Sequence, residues 1–268
     1  TSNETLRGTD RYITELLYQL STMDTTNQYF VFYAHWQQFV KPLTASNFQF
    51  IQMSPPKGIL LKAFWQALIF PKVVKKHKLH VLHYTNPIPI LKRHCPIVVT
   101  IHDLAEFIQP AKYGSFKSYA KRLFVLLCVK KANFIITVSD TTRKAILDLL
   151  DFSPESIDVT LEGISGNLSV DNNDGEYIFE KYHLPGNYML YVGVIEKTKQ
   201  VESIVRAFSL LDDSLQRNYA IVIAGNKGNA YEEVKSAVHD CKLEEKVFFL
   251  GYVQDCDLKY LYKKAKVF

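Results

Sequence analysis

Two patterns of hydrophobic and polar positions alternate along the chain. Short runs of β-branched and aromatic residues recur, and several are apolar at almost every position, as in Ile97-Val-Val-Thr-Ile101. Runs of this kind predict strands that are buried on both faces of a mainly parallel sheet. The predicted strands are Tyr29–Ala34, Phe48–Met53, Val81–Tyr84, Ile97–His102, Phe134–Ser139, Ile157–Leu161, Tyr188–Gly193, Ala220–Gly225 and Val247–Val253.

Segments with helical spacing separate most of these strands. Apolar residues recur there every three or four positions, which predicts one buried face on each helix. The alternation of strand and helix predicts a doubly wound α/β sheet, with ligands outside the carboxyl ends of its strands. The predicted helices are Arg11–Leu20, Ile59–Lys78, Ser115–Lys131, Thr141–Leu150, Val201–Leu211, Tyr231–Cys241 and Asp257–Lys264.

A polar connector divides the chain. Residues 165–175 are rich in turn formers, so we predict a domain boundary near residue 175. Residues 1–175 then form one domain and residues 176–268 the beginning of a second. The second domain holds only three predicted strands, too few for a stable open sheet, so we expect more strands after Phe268. Because the chain also lacks an initiating Met, we expect a fragment at both ends.

Charge is distributed unevenly between these parts. Residues 1–150 contain 19 Lys and Arg against 8 Asp and Glu, whereas residues 151–268 contain 13 against 19. This asymmetry predicts two halves that face different partners. No apolar run reaches the roughly 18 residues that a membrane span needs. The four cysteines are widely spaced, which is more typical of reduced thiols in a cytoplasmic protein than of a zinc site or disulfide framework.

Two basic stretches, residues 57–78 and 112–131, mix lysines with large apolar and aromatic side chains. A helix lying on an anionic membrane surface has this composition, and each cation near such a surface contributes on the order of 1 kcal/mol. A helix that covers a sheet also has an apolar inner face and a lysine-rich outer face. The pattern by itself leaves both interpretations open.

The segment Tyr188–Lys199 carries the most informative motif. A predicted strand ends at Gly193, and a turn with Glu196 and Lys199 leads into the next predicted helix. Backbone N–H groups, a helix N-terminus and a fixed cation would meet there, a combination that suits a phosphate or diphosphate. A glycine and a lysine after a strand also serve packing and solubility.

Two later strands also end at glycine, at Gly225 and at Gly251, which is followed by Tyr252 and Val253. Glycine permits close approach of a ligand, and it is also a common way to turn out of a strand. Three glycine-terminated strands in succession favour the ligand interpretation.

Further candidate residues precede residue 150. His102 and Asp103 lie at the end of a predicted strand. His102 would either lie beside a bound sugar or make a structural contact at the strand end, with Asp103 starting a turn. At the start of the first helix, Gly8 could admit a ligand and Arg11 could face the cleft. Alternatively, Asp10 caps that helix and Arg11 is a solvated residue of its first turn. The segment Ser139–Thr142 is interpreted first as a helix N-cap.

Taken in order, these segments resemble the bacterial glycosyltransferases of group 1, the large retaining family numbered 4. The resemblance covers nearly the whole chain in collinear order. The matching stretches are Gly8-x-x-Arg11-Tyr12, Val98–Leu104, Ala132–Ser139, Tyr191–Lys199, Arg206–Phe208, Val222–Gly225, Val247–Val253 and Leu261–Ala265.

The resemblance implies the GT-B architecture of two Rossmann-like domains, the second incomplete here. The N-terminal domain would bind the acceptor and the C-terminal domain most of the nucleotide-sugar, with no metal and no cofactor. By position, Lys199 would contact the donor diphosphate and His102 would lie near the transferred sugar. The implied catalytic residues are His102 and Asp103. The implied donor-binding residues are Gly8, Arg11, Gly193, Glu196, Lys199, Gly225, Tyr252 and Val253.

Three departures from the family pattern bear on these expectations. Thr198 stands where the family usually has an arginine, and Asp10 where a second glycine is common. The family's Glu-x7-Glu element, which contacts the donor sugar and ribose, would follow Phe268. The opening strand that should precede Gly8 is also expected to be missing, so we expect this fragment to be inactive alone.

The predicted function is transfer of a hexose from a nucleotide-sugar to a polysaccharide or glycolipid acceptor, with retention of configuration, in cell-surface polysaccharide synthesis. This places the protein among hexosyltransferases (EC 2.4), in the cytoplasm and at the inner membrane face. Partners would be the nucleotide-sugar, a saccharide or lipid-linked acceptor and an anionic membrane surface through residues 57–78 and 112–131. The alternatives are a nucleotide-sugar epimerase on the same fold and a non-catalytic binding or scaffolding protein. No nucleic-acid reading motif accompanies the charge.

Overall fold

The structure, a computed structural model, describes residues 8–36, 45–108, 115–164 and 175–268. Most of the predicted connector and the start of the basic stretch 112–131 lie outside these ranges. The described residues form two compact units, one up to Gly163 and one from Ile164 onward.

The N-terminal unit alternates strands and helices in the predicted order. Its strands are β1 (Tyr29–Ala34), β2 (Phe48–Met53), β3 (Leu82–Tyr84), β4 (Ile97–Ile101), β5 (Phe134–Thr137) and β6 (Ile157–Val159). Its helices are α1 (Gly8–Met23), α2 (Ile59–Phe64), a π-helical turn (Trp65–Ile69), α3 (Phe70–Lys76), α4 (Ala105–Ile108), α5 (Ser115–Val129) and α6 (Asp140–Leu149). A 3-10 turn, Pro154–Ser156, precedes β6.

Every strand pair in this unit is parallel, which confirms the predicted sheet type. β1 pairs with β2, and β3, β4, β5 and β6 form a four-stranded sheet in that order. Partners in register, such as Val99 and Ile135, point to the same face. One face of the four-stranded sheet therefore buries an apolar set: Leu82, Tyr84, Ile97, Val99, Ile101, Ile135 and Ile157.

Three helices form one layer over this face. The buried side chains of α3, α5 and α6 belong to the same core as the strand residues. Full burial of each large aliphatic side chain contributes about 1.5–3 kcal/mol, so this layer is a main source of the unit's stability. The helix residues in this core are Phe70, Val74, Val125, Cys128, Val129 and Ile146, and Leu150, which follows α6, packs with them.

The opposite face of the same sheet carries polar groups. His83 and Thr100 alternate with core residues along β3 and β4, and their side chains are hydrogen-bonded to each other. Helix α1 lies on this side, because the hydroxyl of Tyr12 is 3.3 Å from Oγ1 of Thr100.

The C-terminal unit has a parallel sheet of β7 (Tyr188–Val192), β8 (Ala220–Ala224) and β9 (Val247–Gly251) in that order. Strand β8 is buried at every position, as its apolar run predicts. A hydrophobic cluster covers each face: α8 and α10 pack around Ile221 and Ile223, and α7 and α11 around Val222 and Ala224. The helices are α7 (Tyr177–Lys181), α8 (Val201–Ser209), α9 (Asp213–Asn218), α10 (Tyr231–Asp240) and α11 (Asp255–Lys264).

Two features differ from the sequence prediction. Helices α4, α7 and α9 have only four to six residues, too few to show a helical period. The single predicted helix over residues 59–78 widens into a π-helical turn just before Pro71. A proline ring crowds the carbonyl group four residues earlier, and a wider turn relieves that contact.

Candidate functional site

His102 follows β4 at the carboxyl end of the N-terminal sheet and is mostly buried, with 17% of its side chain exposed. Its Nε2 lies 3.2 Å from the carbonyl oxygen of Thr85, and its Nδ1 lies 3.5 Å from Oε1 of Glu162. The ring of Tyr12 contacts the imidazole edge-on, with 4.8 Å between centroids. These neighbours hold the predicted histidine in one orientation.

A hydrogen-bonded network lies directly beneath this histidine. Oγ1 of the fully buried Thr100 is 2.8 Å from Nε2 of His83 and 3.3 Å from the hydroxyl of Tyr12. Burial lowers the pKa of His83, which favours a neutral imidazole there. Tyr12 thereby brings the first turns of α1, which include the predicted Arg11, to His102.

Sequence reasoning missed the roles of Tyr12, His83, Thr100 and Glu162. A polar residue inside an otherwise apolar strand was the available indication for His83 and Thr100. Glu162 lies 60 residues beyond His102, and no local pattern connects the two.

Asp103 and Ser139 have local structural roles. The carboxylate of the exposed Asp103 accepts a hydrogen bond from the backbone N–H of Ala105 at 3.0 Å, which forms the turn into α4. The side chain of Ser139 accepts from the N–H of Thr142, which confirms the predicted N-cap of α6. The hydroxyl of Thr142 also donates to the carbonyl of His102 at 3.1 Å.

Gly8 is the first residue of α1 and is exposed. A Cβ atom added there would meet no other atom within 4 Å, so packing among the described residues does not require glycine at this position. Asp10 lies within the first turn of α1 rather than at its cap.

In the C-terminal unit, the ends of all three strands close on one another through backbone atoms. The N–H of Gly193 donates to the carbonyl of Ala224 at 2.9 Å, and the N–H of Gly225 donates to the carbonyl of Gly251 at 2.7 Å. A Cβ atom at Gly225 would lie only 1.9 Å from the carbonyl oxygen of Gly193. Close backbone packing therefore requires glycine at position 225.

Lys199 lies where β7 leads into α8. A 3-10 turn, Lys197–Lys199, is followed by Gln200 in the left-handed region, and no side chain caps the N-terminus of α8. Lys197 is paired with Glu233 at 3.5 Å. The exposed Lys199 ammonium, in contrast, has no ion pair or hydrogen bond with any residue of the four described ranges. A free cation beside an uncapped helix N-terminus can bind an anion.

The remaining donor-site candidates have different surroundings. Glu196 is half-buried in the same loop; burial first, and then the charge of Glu196, raises the pKa of Tyr191. Tyr252 is exposed in the loop that follows β9. The side chain of Val253 packs in the core with Val222 and Leu190, so only its backbone could face a ligand.

Within the described ranges, no group of three or more His, Cys, Asp or Glu side chains is arranged to hold a metal ion. The helices found there are also too short or too polar to cross a bilayer.

Two family models match the chain. The model described as glycosyltransferase family 4 matches residues 7–165, and the model described as glycosyl transferases group 1 matches residues 176–268. The two matches follow the order of the two units and leave ten residues between them.

Curated relatives are transferases. O-antigen chain mannosyltransferase B of Escherichia coli is 28% identical over 174 residues, which cover 64% of this chain and 45% of the relative. O-antigen chain mannosyltransferase RfbU of Salmonella typhimurium is 26% identical over 204 residues, which cover 76% of this chain and 52% of the relative. The chain therefore spans about half the length of these two relatives.

Solved structures show the same fold. WaaG, a glycosyltransferase involved in lipopolysaccharide biosynthesis, superposes with a TM-score of 0.70 at 14% identity, over 96% of this chain and 70% of that chain. HepE of Anabaena, crystallised with UDP and glucose, gives a TM-score of 0.66 at 15% identity, over 99% and 71%. The architecture is GT-B, as predicted.

Proposed function

Because the chain belongs to glycosyltransferase family 4, we propose that the complete protein transfers a hexose from a nucleotide-sugar to a polysaccharide or glycolipid acceptor, with retention of configuration. The observation that carries this proposal is the match of two glycosyltransferase family models, in order, to both units of the chain.

Lys199 is the residue proposed to stabilise the leaving diphosphate. Negative charge builds on that group as the bond to the sugar breaks, and a fixed cation at a helix N-terminus lowers the energy of the transition state. Its ammonium is exposed and unpaired among the described residues, whereas the neighbouring Lys197 is held by Glu233. Of the two lysines in this turn, Lys199 is therefore proposed to bind the diphosphate, whereas Lys197 forms a surface ion pair.

His102 is proposed to contact the transferred sugar. If Nε2 donates to the carbonyl of Thr85, the neutral ring keeps a lone pair on Nδ1 that can accept a hydrogen bond from a sugar hydroxyl. Tyr12 and the carbonyl group of Thr85 would then fix the ring orientation. No cofactor is proposed, since the nucleotide-sugar is itself the activated substrate.

The proposed hexose is mannose and the proposed product is an O-antigen type of cell-surface polysaccharide, because the relatives described above are O-antigen chain mannosyltransferases. The proposed location is the cytoplasmic side of the membrane, where a lipid-linked acceptor is within reach. Contact with an anionic membrane surface through residues 57–78 and 112–131 is part of the same proposal.

Titration calorimetry of the complete protein with UDP, GDP and ADP tests the donor site. We expect heat from one nucleoside diphosphate and weaker binding after Lys199→Ala. A scaffolding protein without a donor site would give no heat with any of the three. Incubation with the donor sugar alone tests the epimerase alternative, because an epimerase would change the sugar without an acceptor and a transferase would not.

A further inference from the structure

A carboxylate lies beside the imidazole of His102. Oε1 of Glu162 is 3.5 Å from Nδ1 of that ring, which is longer than the roughly 2.7–3.2 Å of an N–H···O hydrogen bond. The Glu162 side chain is 54% exposed, so a ligand can reach its oxygens. Apart from this contact with His102, the described residues give the carboxylate no hydrogen bond and no ion pair.

The register of the parallel sheet brings this carboxylate to the histidine. Ile101, Thr137 and Val159 lie side by side at the carboxyl ends of β4, β5 and β6. The chain after β6 stays on the same edge, because the N–H of Thr160 donates to the carbonyl of Thr137 at 2.8 Å. Glu162 follows two residues later. The sheet therefore sets the position of Glu162, at the edge where parallel sheets bind ligands.

The two facing atoms of His102 and Glu162 are both acceptors when the ring is neutral and Nε2 donates to the carbonyl of Thr85. The described residues donate no hydrogen bond to either atom. Arg143, a cation in the first turn of the neighbouring α6, donates to the carbonyl of Pro154 at 3.4 Å instead. A ligand with two donors side by side would satisfy both acceptors.

The chemistry of this acceptor pair selects one part of a nucleotide-sugar. A carboxylate repels the diphosphate, because both groups are anionic. A hexose, in contrast, carries hydroxyl groups on adjacent carbons, and each hydroxyl can donate one hydrogen bond. A hydrogen bond from a hydroxyl to a carboxylate is also stronger than one between neutral groups. Nδ1 of His102 and Oε1 of Glu162 therefore fit two neighbouring hydroxyls of a sugar.

From these observations we propose that Glu162 is a specificity-determining residue for the transferred hexose. Its carboxylate accepts a hydrogen bond from the hydroxyl next to the one that donates to Nδ1 of His102. A sugar without that hydroxyl leaves the carboxylate without its donor and is transferred more slowly. The inference rests on the proposed function and deepens it, because it names a second group that contacts the sugar.

Transfer rates with donors that each lack one sugar hydroxyl test the inference. The complete protein is assayed with GDP-mannose and its monodeoxy analogues, or with the UDP or ADP forms if calorimetry selects that nucleotide. We expect kcat/KM of the parent to fall about ten- to a hundredfold for two analogues, those that lack one of two neighbouring hydroxyls, because each loss leaves one acceptor without its hydrogen bond.

Variants of the two acceptors assign each hydroxyl to its partner. Glu162→Ala should lower kcat/KM for the intact donor about ten- to a hundredfold. Removal of the hydroxyl bound by Glu162 should then cost little more, because its acceptor is already gone. His102→Ala should abolish the sensitivity to the neighbouring hydroxyl instead. Glu162→Gln keeps an acceptor oxygen without the charge, so its kcat/KM should lie between those of the parent and Glu162→Ala.

The matched control is Glu155, an exposed carboxylate of the same unit that accepts a hydrogen bond from the hydroxyl of Ser153. Glu155→Ala should leave both kcat/KM and the pattern among the deoxy donors as in the parent. Because Glu162 is half-exposed and follows the sheet, Glu162→Ala should unfold at the same urea concentration as the parent.

Three results would contradict the inference, and they differ from one another. Unchanged kcat/KM in Glu162→Ala would remove the carboxylate from the sugar site. A loss by the same factor with every deoxy donor would show that Glu162 only supports the histidine ring. A parent that binds no nucleoside diphosphate and transfers no sugar would overturn the proposed function itself, and this inference with it.

Discussion

The carboxyl ends of the strands are packed differently in the two units. In the N-terminal unit, side chains fill this edge: the imidazole of His102 contacts the side chains of Tyr12 and Glu162, together with the backbone carbonyl of Thr85. In the C-terminal unit, backbone closes on backbone at Gly193 and Gly225, and the cation of Lys199 is left exposed. A network of side chains can lose one member and adjust, whereas two backbones in contact leave no room for even one methyl group.

The outer faces of the helices differ as well. In the N-terminal unit, α2 and α5 expose leucine and aromatic side chains. In the C-terminal unit, α10 exposes charged and polar residues, among them Glu233 and Asp240. Since the inner faces of both layers are equally apolar, the difference concerns what each outer face meets and not how each sheet is covered.

The largest effect is expected from Gly225→Ala. The added Cβ atom would lie 1.9 Å from the carbonyl oxygen of Gly193, so one of the two loops must move. We expect the free energy of unfolding to fall by about 3 kcal/mol, measured by urea denaturation. Gly186→Ala is the control, because a Cβ atom there meets nothing within 4 Å. Equal stability of the two variants would contradict the close backbone packing.

Lys199→Ala tests the exposed cation beside those loops. Loss of a group that stabilises the leaving diphosphate should lower turnover about a hundredfold in the complete protein, with stability unchanged. Lys197→Ala in the same turn removes only a surface ion pair with Glu233 and should change turnover less than about threefold. Similar losses in both variants would indicate a general charge effect instead.

Asp257 sharpens the comparison, because it is the centre of a buried side-chain network in the C-terminal unit, where the strand ends are held together by backbone contacts. Its carboxylate accepts hydrogen bonds at 2.6 Å from Lys181, Tyr177 and Tyr182. Asp257→Asn should lower the free energy of unfolding by about 2 kcal/mol. Asp240→Asn, which breaks a surface pair with Arg206, should cost less than about 0.5 kcal/mol. Comparable losses of stability in the two variants would show that burial does not strengthen the hydrogen bonds of Asp257.

The same cluster predicts a pH dependence. Burial would raise the pKa of Asp257, but hydrogen bonds from Lys181 and the two tyrosines outweigh it and lower the pKa below its ordinary value of 3.8. A lowered pKa stabilises the folded state above the ordinary value, and this stability is lost as the pH falls through the folded-state pKa. Acid titration of unfolding should therefore show a steeper decline below pH 3.8 in the parent than in Asp257→Asn.

The smallest effect is expected from Tyr12→Phe. The variant loses the hydroxyl contact with Thr100 but keeps the aromatic edge against His102. We expect a loss of about 0.5–1 kcal/mol in unfolding free energy and less than about threefold in turnover. His102→Ala in the same assay should reduce turnover by about tenfold or more. A larger loss in Tyr12→Phe than in His102→Ala would show that the network matters more than the imidazole.

Much of the fold followed from local patterns. The apolar runs around Ile97, Phe134 and Ala220 predicted the strands found there, and the spacing in residues 201–211 predicted α8. Such patterns are local, because a buried strand or an amphipathic helix must place its own side chains on the correct side. The short helices and the π-helical turn escaped prediction, since four to six residues carry no period.

The roles of the site residues were harder to infer. Gly225 was predicted as a point of ligand approach, and the structure adds a packing reason that depends on a loop some thirty residues away. Val253 was predicted near the nucleotide, and its side chain is in the core. Its place in the donor site stays a prediction, as do those of Lys199 and His102.

The sequence by itself determined the order of strands and helices, the parallel sheets, the excess of cations before residue 150 and the family pattern of strand ends. Each of these depends on neighbouring residues or on composition. The tertiary structure alone decided that Tyr12, His83, Thr100 and Glu162 gather around His102, that Gly225 touches Gly193, and that a helix with an inner apolar face also has an outer one. These contacts join segments far apart in the chain, because the crossovers between parallel strands bring distant strand ends to one edge of a sheet.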